Sequence, residues 1–99
     1  MNKITVYVKE PGEAPEERVI DNTLEALQDI VGGYIETVTL SADLVIICNE
    51  EGRRLGLEHN CKICGVDFVG TIIIAGIYRD EFDNVPKRAA RRLWWEMET

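Results

Sequence analysis

Long apolar runs are missing from this 99-residue chain, and its cysteines are few. No stretch reaches the ~18 apolar residues that a membrane-spanning helix needs, so no membrane association is predicted. The first ten residues, MNKITVYVKE, lack the apolar segment and small-residue cleavage site of a signal peptide. We therefore expect a cytoplasmic protein with reduced thiols. Its three cysteines, an odd number, also argue against a disulfide framework.

Motifs for nucleophilic catalysis and for phosphate binding are lacking as well. His59 is the only histidine, so a Ser-His-Asp or Cys-His device would have to be built around it. The segment VGTIIIAG contains glycines, but it is typical of a strand and not of a loop that enters a helix. No catalytic residue and no cofactor are predicted, and the sequence favours a protein without enzymatic activity.

Basic residues are scarce and collect near the C-terminus. The net charge is −7, and residues 84–99 contribute +2, which leaves −9 for the rest of the chain. Such an acidic body repels a nucleic acid at long range. Nucleic-acid binding is therefore not expected.

Segments with strand-like alternation dominate what is present. Residues 3–9 alternate apolar and polar side chains, and residues 18–20 suit the returning strand of a hairpin. Residues 34–40 and 44–48 predict a second hairpin. Residues 67–78, DFVGTIIIAGIY, are the most apolar run and belong in the middle of a sheet. We predict an α+β fold, with a mainly antiparallel sheet of about five strands and two helices packed on it.

Two segments carry helix signals. In the first, Asn22 and Glu25 form a capping-box pattern, and Gly32-Gly33 follows the apolar face. The second begins near Asp83 or Asn84. Its apolar stripe consists of Ala90, Leu93, Trp94 and Met97. We predict a single domain over residues 1–83 and a C-terminal amphipathic helix over residues 84–99, packed on that domain or on a partner.

The segment HNCKICG raises the question of a metal site. Every cysteine and histidine would be needed for the four ligands of a structural zinc ion. These are Cys48, His59, Cys61 and Cys64. However, Cys48 lies in an apolar strand and is typical of a core thiol, and a second CxxC is missing. Gly65 and a strand follow the CxxC where a redox motif requires a helix. No metal site is predicted, and these four residues remain the weak candidates.

Three further constellations suggest binding. Glu36 shares the more apolar face of its strand, so it lies at the sheet margin or is held by a partner. Asn49, Glu50 and Glu51 lie at the end of a strand before a glycine turn, where paired glutamates bind a cation or a partner's arginine, or are simply solvated. Near the C-terminus, Trp95 points about 100° away from Trp94 on a helix. Such a tryptophan anchors interfaces, so we expect Trp95, Arg91 and Arg92 to mediate self-association as a homo-oligomer, a dimer.

The segments LEALQDIVGGYIETVTLSADLVIICNEEGRRLGLEHN and DFVGTIIIAG resemble the DUF3846 family over roughly residues 3–83. These are small bacterial and phage proteins of uncharacterised function, frequent on mobile elements. The resemblance implies a mobile-element accessory role, and it brings no CxxC requirement with it. It also directs attention to polar positions inside the shared motifs as ligand-binding or partner-binding residues. These are Tyr34, Glu36, Asn49, Glu50, Gly52 and Asn60.

Together these features predict a non-enzymatic binding or interaction module for an unknown protein or small-molecule partner. The alternative is a small metal-dependent enzyme or a zinc-binding domain. It would use His59, Cys61 and Cys64 together with Glu36 or Glu50.

Overall fold

A mainly antiparallel sheet runs through the computed structural model, which describes residues 2–97 apart from the side chain of Trp95. The strands and helices follow one another as β1 (Lys3–Lys9), β2 (Glu16–Asp21), α1 (Leu24–Val31), β3 (Ile35–Ser41), β4 (Leu44–Asn49), β5 (His59–Ile63), β6 (Val66–Val69), β7 (Ile72–Tyr78), β8 (Glu81–Asp83), α2 (Lys87–Arg91) and α3 (Trp94–Met97). Within residues 2–97, none of the helices has the length and apolar character needed to cross a bilayer. The predicted α+β class is confirmed.

The main sheet has six strands, in the order β2-β1-β7-β4-β3, with β8 paired to β7. All of its pairings are antiparallel. Both β1 and β8 lie on the side of β7 away from β4. Strand β1 pairs with residues 72–74 of β7, and β8 pairs with residues 76–78. Strands β5 and β6 form a separate two-stranded sheet. The prediction of about five strands was therefore too low, because residues 2–97 contain eight.

The centre of the sheet is β7, as its isoleucines predicted. Ile72, Ile73 and Ile74 are all fully buried, since both faces of this strand are covered. The predicted strand over residues 67–78 is nevertheless two strands. Gly70, with a φ of 71°, turns the chain between β6 and β7. Its missing side chain also lets Leu57 approach closely.

Three layers enclose two apolar cores. On one face of the sheet, Leu27 and Val31 of α1 pack against β1, β4 and β7. On the other face, the β5–β6 hairpin contributes Cys61, Ile63 and Phe68. Helices α2 and α3 pack on this second face too. The sheet is thus buried on both sides at its centre.

The helix ends differ from the predictions. Thr23, not Asn22, is the N-cap of α1, and its Oγ1 accepts a hydrogen bond of 3.2 Å from the N–H of Ala26. Asn22 instead donates to the carbonyl of Phe82 at 3.0 Å. The C-cap is confirmed, because Gly32 adopts a left-handed φ of 84°.

The C-terminal segment is two short helices, not one. Asn84 does not cap α2; its side-chain oxygen accepts from the N–H of Thr5 at 2.8 Å, and Pro86 occupies the N-cap. The predicted apolar stripe still faces inward, since Ala90 and Met97 are buried in the second core. This segment packs on the domain as part of its core.

Candidate functional site

HNCKICG forms most of the β5–β6 hairpin. Its turn consists of Cys64 and Gly65, with φ values of 50° and 80°, as a two-residue hairpin turn requires. Cys61 therefore points into the core, whereas Cys64 is exposed at the tip. The spacing of Cys61 and Cys64, three positions apart, suggests a metal knuckle, but here it separates a strand residue from a turn residue.

The four metal candidates do not meet at one point. Among residues 2–97, no group of three or more His, Cys, Asp or Glu side chains is placed to hold a metal ion. Burial raises the pKa of Cys48 to about 11, and it also raises the pKa of Cys61. Because zinc binds thiolates, these neutral core thiols are poor ligands. His59 lies 3.6 Å from Asp67, measured from Nε2 to Oδ1.

Asn49, at the end of β4, organises the polar region that the shared motifs indicated. Its buried amide donates to the carbonyl of Val31 at 3.2 Å and accepts from the N–H of Glu51 at 2.8 Å. Its own carbonyl accepts from the N–H of Gly52 at 3.2 Å. A side chain on Gly33 would collide with the Asn49 amide. Asn49 therefore joins the end of α1 to the turn after β4.

A groove of about 360 Å³ opens on one side of Asn49 and is called the β3–β6 groove. It runs between the edge strand β3 and the hairpin strand β6, below the turn after β4. Its walls combine apolar and acidic side chains. They are Glu36, Val38, Cys48, Asn49, Glu50, Arg53, Val66, Asp67, Phe68 and Val69.

Negative charge prevails along this groove. Glu36, Glu50 and Asp67 are exposed carboxylates, and Arg53 is the only basic residue among the lining residues. The Arg53 guanidinium already donates to the backbone carbonyl of Asp67 at 2.9 Å. After burial, the nearby Glu36 carboxylate is the next cause of the raised pKa of Cys48, which Arg53 partly offsets. The groove therefore offers an apolar floor and an acidic rim.

A second cavity, of about 510 Å³, lies on the other side of Asn49 and is called the Tyr34 pocket. It is bounded by the end of α1 and by the turn after β4. Its lining consists of Gln28, Asp29, Gly32, Gly33, Tyr34, Asn49, Glu51 and Leu55. The structure thus brings Tyr34, Glu36, Asn49 and Glu50 to one end of the molecule, on two adjacent concave surfaces, with Gly52 in the turn beside them.

Asn60 lies apart from these residues and is committed to internal contacts. Its amide donates to the carbonyls of Lys9 and Gly70, at 2.9 and 2.7 Å, and accepts from Lys9 Nζ at 2.8 Å. Lys9 is only 3% exposed. Strand alternation predicted a solvated face for this lysine. Lys9 is buried because the β5–β6 hairpin, which contains Asn60, covers that face of the sheet.

Of the residues predicted to mediate self-association, the structure describes the side chains of two. Arg91 and Arg92 are exposed at the end of α2. The side chain of Trp95 lies outside the described part of the chain. The homo-oligomer remains a prediction.

Comparison with known protein families shows a match over nearly the whole chain. The model of the DUF3846 family, described as a domain of unknown function, matches residues 4–97. The match extends beyond the segments in which the resemblance was recognised and includes α2 and α3. No curated protein and no solved structure matches the chain.

Proposed function

We propose that this chain, which belongs to the DUF3846 family, is a binding module that takes up an extended, basic segment of a partner protein along strand β3. The β3 edge, nearly uncharged and bordered by the β3–β6 groove, is the observation that carries the proposal. A cytoplasmic location and a mobile-element setting, both inferred from the sequence, belong to the same proposal.

The two edges of the main sheet differ in a way that supports this choice. Strand β2, EERVID, has four charged residues in six, and ion pairs such as Lys3–Asp21 lie along it. Strand β3, IETVTLS, has one charged residue in seven and contains neither lysine nor proline. Edge strands usually carry such residues because they block the pairing of another chain. The β2 edge is protected in this way, and the β3 edge is open.

The open edge also presents usable hydrogen-bonding groups. Glu50 N–H donates to the carbonyl of Tyr34 at 2.8 Å, which makes these two residues a hydrogen-bonded pair across β3 and β4. Antiparallel pairs alternate, so the peptide groups of Ile35 and Thr37 face outward. An added strand would find donors and acceptors at these positions, as in other cases of strand addition.

The groove supports a basic occupant. Side chains of a strand added to β3 would alternate between the two faces of the sheet, and one set would enter the β3–β6 groove. There they would meet Val38 and Phe68 on the floor, with Glu36 and Asp67 on the rim. Lysine or arginine placed among small apolar residues matches this surface, and the net charge of −7 favours such a partner at long range.

A peptide titration tests the proposal. The probe is a short peptide of alternating valine and lysine, and the comparison peptide has glutamate in place of lysine. We expect the basic peptide alone to bind, with amide shifts concentrated in β3 and β6 by nuclear magnetic resonance. Thr37→Pro removes an outward N–H and should weaken binding by about 2- to 10-fold, since the backbone hydrogen bond at that position is lost.

Val19→Pro is the matched control. Asn22 N–H donates to the carbonyl of Asn2, so the alternation places the Val19 N–H outward on the opposite edge. This variant should bind as the unmodified protein does. Equal binding of both peptides would refute a basic occupant, and equal loss in both proline variants would refute strand addition at β3. If light scattering shows a dimer that Thr37→Pro dissociates, the occupant is a second copy and the basic-segment proposal is wrong.

A further inference from the structure

We infer that the Tyr34 pocket is a binding site for an organic cation, an alkylammonium or guanidinium group. The inference goes beyond the proposed strand addition, since it rests on the other side of Asn49 and on different side chains. Three features point to a cation: the charge of the helix end, the charge of the lining residues and an exposed aromatic ring.

The first feature is the C-terminal end of α1. Helix carbonyls carry partial negative charge at this end, where basic side chains are favoured. The last turn of α1 has no basic residue and contains Asp29 instead. Gly32 and Gly33, which end the helix, line the pocket together with Asp29. The helix terminus and the carboxylate therefore add their negative potentials in one place.

The second feature is the sign of the charged lining residues. Asp29 and Glu51 are the only carboxylic acids among them, and neither lysine nor arginine lines the pocket. Glu51 forms an ion pair with Arg54 on the adjacent turn. Arg54 is exposed and Glu51 is half-buried, and ion pairs this open to solvent are weak. Asp29 is then the principal charge available to a ligand, and an anionic ligand would be repelled.

The third feature is apolar surface left open to solvent. Tyr34 is 68% exposed and Leu55 is 59% exposed, and both line the pocket. An aromatic face attracts a cation, most strongly when the cation is only weakly hydrated. Tyr78, which is 61% exposed elsewhere on the molecule, already has the Arg79 guanidinium 5.2 Å from its ring centroid. No such contact to Tyr34 occurs within the described residues.

The test is a titration followed by amide resonances in isotope-labelled protein. Tetramethylammonium is the cationic probe, and tert-butanol is a neutral molecule of similar shape, with sodium chloride added to match ionic strength. Tetramethylammonium should shift the backbone amides of Gly32 and Gly33 and the side-chain amide of Asn49 in a saturable way. Tert-butanol should not.

Variants with matched controls locate the site. Tyr34→Ala should weaken tetramethylammonium binding by about 2- to 30-fold, and Tyr34→Phe should retain it, because the ring supplies the attraction. Asp29→Asn should weaken it by about 2- to 5-fold. Tyr78→Ala removes an equally exposed tyrosine, and Glu25→Gln removes a charge at the other end of α1; both should leave binding unchanged. All four sites are exposed, so unfolding midpoints should stay close to that of the unmodified protein.

A second arm identifies the source of the cation. Blocked amides of lysine and arginine are titrated in the same way. Tighter binding of either amide than of tetramethylammonium supports a side chain of a partner as the ligand, and the reverse order supports a free quaternary amine. If none of the three cations binds, or if tert-butanol binds equally well, the inference is wrong. Unchanged affinity in both Tyr34→Ala and Asp29→Asn would also contradict it. Strand addition is unaffected by either result.

Discussion

Lys9 and Asn60 form a closed polar pair inside the molecule. The Lys9 amine donates to Asn60, and the Asn60 amide returns a hydrogen bond to the backbone of Lys9 and another to Gly70. The pair joins the end of β1 to the start of β5 and to the turn before β7. Asn60 was predicted as a binding residue from its place in a shared motif. Its internal contacts already supply a structural reason for an asparagine here.

Asn60→Leu should reduce the free energy of unfolding by about 3 kcal/mol, because the carbonyls of Lys9 and Gly70 lose their donor and the buried Lys9 amine keeps only its 3.5 Å bond to the Glu10 carbonyl. Urea denaturation measures this change. In the double variant Lys9→Met with Asn60→Leu, the amine is gone too. We expect a double-mutant cycle to show coupling of at least about 1 kcal/mol. Strictly additive effects would mean that the pair is not a unit.

At the scale of elements, strand β7 requires a glycine at position 76, where the paired strand β8 ends. Gly76 lies opposite Asp83, and a Cβ atom at this position would overlap the backbone carbonyl of Asn84. The neighbouring backbone is itself held, since the Asn84 side chain and the Val85 N–H both bond to Thr5. This segment therefore has little freedom to move aside.

Gly76→Ala should lower the free energy of unfolding by about 2 kcal/mol or more, as overpacking against backbone does. Gly65→Ala is the control. Gly65 has a left-handed φ of 80° with open space around it, so alanine there should cost only about 1 kcal/mol. Thermal and urea unfolding of both variants test this order. Equal losses would show that β8 yields readily.

The elements that the sequence predicted well are those with local signals. Alternation over residues 3–9 and 34–40 and the short spacing between partners identified both hairpins of the main sheet. The αL glycine ended α1 as expected. At the candidate site, the motif residues at the start of β3 and at the end of β4 lie close together because antiparallel pairing places these two strand ends side by side. They are Tyr34, Glu36, Asn49 and Glu50.

The features that were missed depend on contacts distant in sequence. Residues 59–69 form a hairpin whose turn uses Cys64, a residue seldom found at positive φ, so the turn signal was weak. Asn84 was predicted as a helix cap, but its side-chain oxygen accepts a hydrogen bond from the N–H of Thr5 in β1. The burial of Lys9 arises from Asn60, 51 positions away. None of these contacts leaves a local pattern.

At the scale of the whole molecule, two thiols are enclosed between the sheet and the layer formed by the hairpin and the C-terminal helices. Burial raises the pKa of Cys48 from 9.0 to about 11 and raises that of Cys61, with the nearby Glu36 adding to the effect at Cys48. The folded state therefore keeps protons that the unfolded chain releases. The contribution of the protonated Cys48 thiol to the free energy of unfolding is therefore fully present below pH 9.0, and it is lost as the pH rises toward about 11.

We accordingly expect urea unfolding to show a stability loss between pH 9 and about 11 that Cys48→Ala reduces, by at most about 3 kcal/mol for this thiol. Cys64→Ala, at the exposed hairpin tip, is the control and should leave the slope unchanged. The same slope in the Cys48 variant as in the unmodified protein would show that other groups cause the loss.

The central place of β7 has a consequence for synthesis on the ribosome. The β1–β2 and β3–β4 hairpins are complete once residue 49 has emerged, but β1 and β4 are joined only through β7. Tyr7 must wait for Ile74, its partner in the sheet. Until β7 is synthesised, the edges of β1 and β4 that face it remain unpaired, and unpaired strand edges are prone to incorrect pairing. The last third of the chain thus closes a sheet that the first half can only begin.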